Sequence, residues 1–327
     1  MVDLVAIGEL LIDFTYHGIS ENGTRLFEQN PGGAPANVVC SASNLGLSTA
    51  FIGKVGRDMH GDYLRRVLED KGVNTYGLIS TDDVFTTLAF VELSESGERR
   101  FSFARKPGAD TCLLESEVKY ELAEDCRIFH FGSLSLTNEP SRSATIKAVK
   151  AAKKAGAIIS YDPNYRAPLW KSENEAAEIM QSVLHFADVV KISEEEIGLV
   201  TGETSPGAAA ESLFQKGISC AIVTLGSKGA YTAVKNASLT VPVLNPYVHV
   251  VDTTGAGDAF LGGFLYKLVR SGMNPIELSE TQIRDFTEFA NGVASLCIQR
   301  RGGIPSMPTI CMVNDFLGQK ENYYETQ

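Results

Sequence analysis

The 327-residue chain carries no excess of basic residues and no long apolar run. Its 29 lysines and arginines are outnumbered by 40 acidic residues, which leaves a formal net charge of −11. Proteins that bind nucleic acids usually show the opposite charge or a basic stripe, so we expect no nucleic-acid partner. The strongest apolar stretch, Ala259–Tyr266, ends at Lys267 and falls short of the roughly 18 residues that a membrane span needs, so we expect no membrane association.

The chain also has few cysteines, and none of them forms a Cys-x-x-Cys pair. The six are widely spaced: Cys40, Cys112, Cys126, Cys220, Cys297 and Cys311. A chain of this length can build a core without disulfide bonds, so we expect reduced thiols. The apolar N-terminal segment carries Asp3, Glu9 and Asp13, unlike a secretory signal. Together these features favour a cytoplasmic protein.

Short apolar runs that are typical of strands alternate with longer helical patterns. The predicted strands are Leu4–Gly8, Thr49–Gly53, Arg127–Phe131, Ile158–Asp162, Val189–Ile192 and Ala221–Leu225. The predicted helices are Ala34–Leu45, Gly61–Lys71, Ser141–Ala155, Glu173–Phe186 and Pro206–Lys216. This alternation indicates a three-layer α/β/α domain with a mostly parallel sheet, which we expect to span residues 1–327 as one unit. Ligands bind at the carboxyl ends of strands in such folds, so motifs that directly follow a strand are candidate site residues.

One segment departs from this alternation and predicts a β-hairpin. Thr86–Leu93 and Arg100–Ala104 flank a turn at Ser94–Glu98, and no helix follows to cover them. Residues 12–30 are candidates for its partner strands. We expect residues 12–30 and 86–105 to form a lid over the site, or a contact between the subunits of a homodimer. The alternative is an edge hairpin with no such role.

The most distinctive motif reads Asp-Thr-Thr-Gly-Ala-Gly-Asp-Ala-Phe, from Asp252 to Phe260, and a helical pattern follows it. Its small residues let the amides of Gly255, Ala256 and Gly257 converge at a helix N-terminus, where an anion is favoured. Asp258 then lies beside the bound group, and its position predicts a lowered pKa. The alternative is a close-packed turn in which Asp258 caps the helix. The motif is neither a Walker A loop nor a dinucleotide fingerprint.

The motif resembles the signature of the ribokinase-like (PfkB-type) carbohydrate kinases. A second signature of that family is matched by Pro31–Asn37 and by Gly53–Asp58 with Gly61. The resemblance covers nearly the whole chain, up to Gly302-Gly303-Ile304-Pro305-Ser306. Within the family, residues 30–38 and 105–110 are most similar to fructokinases.

This resemblance implies a ribokinase-like fold and an ATP-dependent sugar kinase with Asp258 as catalytic base. The expected reaction transfers the γ-phosphoryl group of ATP to the 6-hydroxyl of D-fructose, with Mg²⁺ as cofactor and a requirement for K⁺ left open. A 2-keto-3-deoxygluconate kinase, or another sugar kinase of this family, is the alternative. A sugar-binding regulator without catalytic activity is a hypothesis of a different class, and the intact glycine motif with Asp258 argues against it.

The resemblance also implies a set of sugar-binding residues: Asp13, Gly32, Gly33, Asn37, Arg105 and Arg166. A carboxylate such as Asp13 can accept hydrogen bonds from two sugar hydroxyls, and the glycines let the backbone approach the ring. Turn and cap roles are the alternative for Asp13 and Asn37. The two arginines could bridge the sugar and the phosphate, or grip a substrate carboxylate as a ketodeoxygluconate kinase would require.

On the nucleotide side, the resemblance implies contacts from Lys191, Ser193, Thr224, Gly226, Gly229 and Asn291. Glu196 would act on Mg²⁺ through water. Ser193 stands where the family carries asparagine, and the acids at residues 194–196 also suit a helix start. A monovalent cation site is implied at Asp252, Thr254 and Ser306.

Overall fold

The computed structural model describes residues 1–93, 99–244 and 248–324. Its strands are β1 (Val2–Ile7), β2 (Leu11–Ile19), β3 (Arg25–Gly32), β4 (Thr49–Gly56), β5 (Val73–Thr81), β6 (Leu88–Leu93), β7 (Arg99–Ala104), β8 (Cys126–Gly132), β9 (Ile158–Asp162), β10 (Val189–Ser193), β11 (Cys220–Thr224), β12 (Ala230–Val234) and β13 (Ala237–Val241). Its helices are α1 (Ala34–Asn44), α2 (Met59–Asp70), α3 (Tyr120–Glu124), α4 (Ser141–Ala155), α5 (Glu173–Ser182), α6 (Ile197–Thr201), α7 (Pro206–Gln215), α8 (Ala256–Ser271), α9 (Glu280–Cys297) and α10 (Ile310–Tyr324).

The described strands form a main sheet of nine in the order β13-β12-β11-β10-β9-β8-β1-β4-β5. Pairing is parallel from β5 to β11, and β12 and β13 add an antiparallel edge. Both faces of this sheet are covered, because alternate residues of β1 pack in two different hydrophobic cores, one on each face. Val5 and Ile7 pack in the core beneath α3–α7, whereas Leu4 and Ala6 pack in the core beneath α1, α2, α8 and α9. This is the predicted three-layer α/β/α arrangement with a mostly parallel sheet.

A second sheet of four strands, in the order β3-β2-β6-β7, lies beside the main one. Antiparallel pairs β2–β3 and β6–β7 are joined by a parallel pairing of β2 with β6, where Asp13 lies opposite Ala89. The predicted hairpin and its partner segment are therefore one sheet, which we call the lid sheet. The predicted turn at Ser94–Glu98 lies outside the described residues.

The predicted elements occur close to their predicted limits. One helix is shorter, because α5 ends at Ser182 and residues 184–186 form a separate 3₁₀ turn. Glycines end several helices; Gly156, for example, follows α4 with a φ of 92°. None of the helices in the described parts of the chain is long and apolar enough to cross a membrane.

Candidate active site

A cavity of about 510 Å³ lies where the carboxyl ends of main-sheet strands meet the lid sheet and the start of α8. We call it the central cavity. The predicted site residues that line it are Asp13, Gly33, Asn37, Arg166, Lys191, Ser193, Glu196, Thr224, Asp252, Thr254, Gly255, Ala256, Gly257 and Asp258. The predicted residues that do not line it are Gly32, Arg105, Gly226, Gly229, Asn291 and Ser306.

Asp258, in the first turn of α8, is a buried carboxylate at the floor of the central cavity. Its Oδ2 accepts a hydrogen bond of 2.7 Å from Asn37 Nδ2, and its exposed fraction is 7%. Burial raises its pKa from 3.8 to about 6, Asp162 adds to that rise, and Lys191, Asn37 and Arg166 oppose it. The predicted lowering of this pKa is therefore wrong, because loss of hydration outweighs the favourable field of the helix N-terminus.

The helix start itself forms the predicted anion-binding feature only in part. Gly255 caps α8 in the left-handed region with a φ of 78°. The amide of Ala256 donates to the Thr253 carbonyl at 3.3 Å and so is already engaged. Within the described residues, no backbone carbonyl accepts from the amides of Gly255 or Gly257. These two donors therefore stay available to an anion at the positive end of the helix.

Lys191, in the middle of β10, places a positive charge beside that helix start. Its Nζ lies 2.7 Å from Asp162 Oδ2, and both side chains are buried. A Cβ built on Gly257 would lie only 2.9 Å from the same Nζ, so glycine is what allows this close approach. Burial acts to lower the pKa of Lys191, but the carboxylates of Asp162, Glu196 and Asp258 outweigh it and raise the pKa. The ammonium group therefore stays charged at neutral pH.

The family model for pfkB family carbohydrate kinases matches residues 1–310. The chain belongs to this family. Fructokinase-2 of Oryza sativa subsp. japonica is 40% identical over 322 residues, covering 98% of this chain and 95% of that protein.

Solved structures agree with that assignment. A fructokinase from Xylella fastidiosa with bound ATP superposes with a TM-score of 0.91 at 32% identity, covering 98% of this chain and 100% of that one. A double mutant of fructokinase from Vibrio cholerae O395, bound to fructose, ADP and potassium ion, gives a TM-score of 0.85 at 33% identity, covering 97% of this chain and 98% of that one. The ribokinase-like fold that the sequence predicts is thereby confirmed.

In this carbohydrate kinase, the predicted sugar-binding residues gather around the first turn of α1. Gly33 caps α1 with a φ of 118°, and a Cβ there would lie 2.3 Å from the Glu9 carbonyl oxygen. A Cβ on Gly32 would lie 2.6 Å from Asp13 Oδ2, so a larger residue would displace that carboxylate. Gly32 thus acts by leaving room for Asp13 rather than by lining the cavity. Asn37 faces the cavity from the same helix.

The two predicted arginines occupy different environments. Arg166 is exposed and lines the central cavity, and its guanidinium donates to the Tyr165 carbonyl at 2.9 Å. Arg105 is buried, paired with Asp110 at 2.6 Å and bonded to the Thr137 hydroxyl at 3.0 Å. Most of its donors are bonded within the protein, and a contact between Arg105 and the substrate stays a prediction. Asp110 follows five residues later, whereas Thr137 is 32 residues away and is brought to the guanidinium only by the fold.

Glu196 has an ordered carboxylate at the edge of the central cavity. Its Oε1 accepts from the Tyr165 amide at 2.6 Å, and its Oε2 accepts from the Ser193 amide at 2.8 Å. The second bond is the helix-start contact that the acidic run predicts as an alternative. Each oxygen keeps a lone pair for a further donor such as a metal-bound water.

Three predicted nucleotide-binding residues do not line the central cavity. Asn291 is buried and donates to the carbonyls of Val241 and Pro242 at 3.0 and 3.2 Å. Gly229 lets the backbone pass close to that segment, because a Cβ there would lie 2.0 Å from the Val241 carbonyl oxygen. Gly226 begins the turn between β11 and β12. Their contact with a nucleotide stays a prediction, while Thr224 and Ser193 line the cavity.

The predicted monovalent-cation residues lie together behind the start of α8. The Asp252 carboxylate accepts from the Thr254 amide at 2.9 Å and from the Gly302 amide at 3.0 Å. Cys297 Sγ contacts both the Thr254 carbonyl, at 3.8 Å, and the Ser306 hydroxyl, at 3.0 Å. The backbone carbonyls near this thiol are the type of oxygen ligand that a hard cation takes.

Sequence reasoning missed two residues that line the cavity, Glu9 and Arg301, and one that contacts a lining residue, Asp162. Glu9 is buried beside the cavity, and burial raises its pKa to about 7. Arg301 lines the cavity and pairs with Glu28 of the lid sheet at 3.1 Å. Asp162 carries the partner carboxylate of Lys191. Glu9 and Asp162 both follow or end a predicted strand, and that position was the available signal.

Proposed function

We propose that the chain is an ATP-dependent fructokinase that forms one domain over residues 1–327, with the lid sheet covering the sugar. The observation that carries this proposal is the Asn37–Asp258 hydrogen bond, which fixes a carboxylate beside the free amides at the start of α8. An acceptor for an alcohol proton and donors for a phosphate thus face the same cavity. The fructokinase relatives, one of them solved with fructose and ADP, support the choice of sugar.

In the proposed reaction, the 6-hydroxyl oxygen of fructose bonds to the γ-phosphorus as the bond from that phosphorus to the β,γ-bridging oxygen breaks. ADP leaves with the bond electrons, and Asp258 takes the hydroxyl proton. A pKa of about 6 leaves Asp258 mostly ionised at pH 7 yet makes it a better base than an exposed aspartate. The amides of Gly255 and Gly257 and the charge of Lys191 stabilise the transferring group.

Glu196 fits a role with Mg²⁺, because backbone donors orient its carboxylate at the cavity edge and leave lone pairs for metal-bound water. Mg²⁺ bound with ATP would neutralise phosphate charge during transfer. A requirement for K⁺ is supported by the clustering of Asp252, Thr254 and Ser306, and by the potassium ion in the Vibrio cholerae relative.

Two further proposals concern location and assembly. The free cysteines support a cytoplasmic location. The exposed lid residues Ile19 and Leu26 support a homodimer contact through the lid sheet.

A 2-keto-3-deoxygluconate kinase is the second candidate, and the arginines weigh against it. That hypothesis uses Arg105 and Arg166 together to hold a substrate carboxylate. Arg105 is bound to Asp110 and Thr137, so only Arg166 of the pair reaches the central cavity.

An ADP-release assay with a panel of sugars tests the proposed function. We expect ADP release with ATP and D-fructose, little with ketodeoxygluconate, ribose or a nucleoside, and fructose 6-phosphate as the product. Release with ketodeoxygluconate but not with fructose would select the second candidate. Binding of fructose without ADP release, by a folded protein, would instead identify a sugar-binding regulator.

A further inference from the structure

Asp162 joins two parts of the site that are separate in sequence. Its Oδ2 accepts from Lys191 Nζ at 2.7 Å, and its Oδ1 accepts from the Asn164 amide at 3.2 Å. The second bond holds a tight turn, in which Asn164 has a φ of 45°, and this turn leads to Arg166 at the cavity. One buried carboxylate therefore contacts Lys191 directly and holds the turn that leads to Arg166.

Lys191 gains a defined position from this contact. A lysine ammonium carries three donors on a flexible stem, so its direction depends on what holds it. Asp162 takes one donor, and the close approach of Nζ to Gly257 leaves the ammonium beside the start of α8. The remaining donors are available to a transferred phosphoryl group.

We propose that Asp162 is a positioning residue for phosphoryl transfer, which aims Lys191 at the transferring group and holds the turn that carries Arg166. It also limits the attraction of Lys191 to Asp258, which keeps the Asp258 carboxylate free for the sugar hydroxyl. This inference rests on the proposed kinase function.

The charged and polar groups that face Asp258 come from several elements: Lys191 from β10, Asp162 from β9, Arg166 from the turn after β9, Asn37 from α1 and Cys297 from α9. Burial raises the pKa of the Cys297 thiol to about 12, so it is neutral at pH 7. Asp162 raises the pKa of Asp258, whereas Lys191 lowers it. Removing Asp162 alone therefore lowers that pKa, and removing Lys191 alone raises it.

The test compares Asp162→Asn, Lys191→Met and the double variant with the wild type. In Asp162→Asn, the amide oxygen can still accept from the Asn164 amide, so the turn is kept, whereas the negative charge and the acceptor for Lys191 are lost. We expect kcat to fall about 10- to 100-fold, as for a misplaced reacting group. The acid limb is the fall of kcat/KM for fructose at low pH. In Asp162→Asn it should move to lower pH by about one unit, whereas in Lys191→Met it should move to higher pH.

Glu117→Gln is the matched control, because Glu117 pairs with the buried Lys54 at the same N···O distance, 2.7 Å, but away from the central cavity. It should keep the wild-type kcat and acid limb. Asp162→Asn leaves the buried Lys191 unpaired and could fail to fold for that reason. In that case the double variant is measured instead, because it buries no unpaired charge. The double variant should have a low kcat with a nearly unshifted acid limb.

Wild-type kcat and an unmoved acid limb in Asp162→Asn, or a wild-type kcat in the double variant, would overturn the inference. A change of the same size in Glu117→Gln would do so too, because it would reveal a general effect of losing an ion pair. Titration of the Asp258 carboxyl by ¹³C NMR tests the same shift without turnover. A wild type that phosphorylates no sugar would therefore refute the proposed function while leaving this test in place.

Discussion

Replacing Asp258 by asparagine should remove activity and stabilise the protein at the same time. Asparagine keeps the size of the side chain and an oxygen that can accept the hydrogen bond from Asn37. This bond is 2.7 Å long in the wild type. It cannot take the sugar proton, so we expect kcat to fall by about 10²- to 10⁴-fold, the range for losing a positioned base. The gain in stability follows from the burial of Asp258, which is 7% exposed.

The size of the gain follows from the pKa. A rise from 3.8 for the ordinary group to about 6 in the fold corresponds to about 3 kcal/mol of lost stability once the carboxylate is ionised. Below about pH 3 the acid is largely protonated in both states, so the cost is nearly absent. The cost grows as the pH rises towards 6 and is nearly complete at pH 7. The asparagine variant should therefore be more stable than the wild type at pH 7, by up to about 3 kcal/mol.

Urea unfolding of both proteins at pH 7 and pH 4.5 measures this difference, and ADP release at pH 7 measures kcat. We expect the difference in unfolding free energy to shrink strongly at pH 4.5. An asparagine variant that is less stable than the wild type at pH 7 would refute the reasoning. So would an advantage of equal size at both pH values, because that advantage could not come from ionisation.

Two further predictions use matched pairs of variants. Gly33→Ala should destabilise the protein by more than Gly46→Ala does, and it should raise the KM for fructose. Both glycines have a positive φ, but only at Gly33 would the Cβ lie 2.3 Å from a backbone carbonyl oxygen. Equal unfolding free energies for the two variants would contradict this prediction. Arg105→Met should lower the free energy of unfolding in urea by about 3–5 kcal/mol, because it leaves Asp110 buried and unpaired. Arg166→Met should change that free energy by less than about 0.5 kcal/mol and should lower kcat/KM. Loss of activity without loss of stability in Arg105→Met would instead indicate that Arg105 contacts the substrate.

The sequence predicts the elements best where periodicity decides them. Buried parallel strands such as Ile158–Asp162 are short apolar runs, and the structure gives that strand the same limits. The edge strands β5 and β13 have residues exposed on one side and were not predicted. The lid sheet was predicted from residues 12–30 and 86–105, but its parallel pairing of β2 with β6 depends on contacts that no local pattern encodes.

Predicted site residues line the cavity where they end a strand or cap a helix, as Thr224 and Gly255 do. Lys191 lines it from the middle of β10. The sequence does not decide whether a side chain meets the substrate or another part of the protein. Arg105 bonds to Asp110 and Thr137, and its contact with a substrate stays a prediction. That choice depends on which polar groups are buried together, and only the folded chain determines it.

The pKa of Asp258 shows why one physical rule was insufficient. A helix N-terminus stabilises an anion by about 0.3–1 kcal/mol at the surface and about 2 kcal/mol in partly buried sites, whereas full burial can raise a carboxyl pKa by about 3–5 units. The sequence reveals the helix start but not the depth at which the carboxylate lies. Asp258 is buried against Lys191 and Asn37, which offset only part of the cost, so the pKa rises to about 6. The burial that costs stability would therefore also make this aspartate a stronger base than an exposed one in the proposed proton transfer.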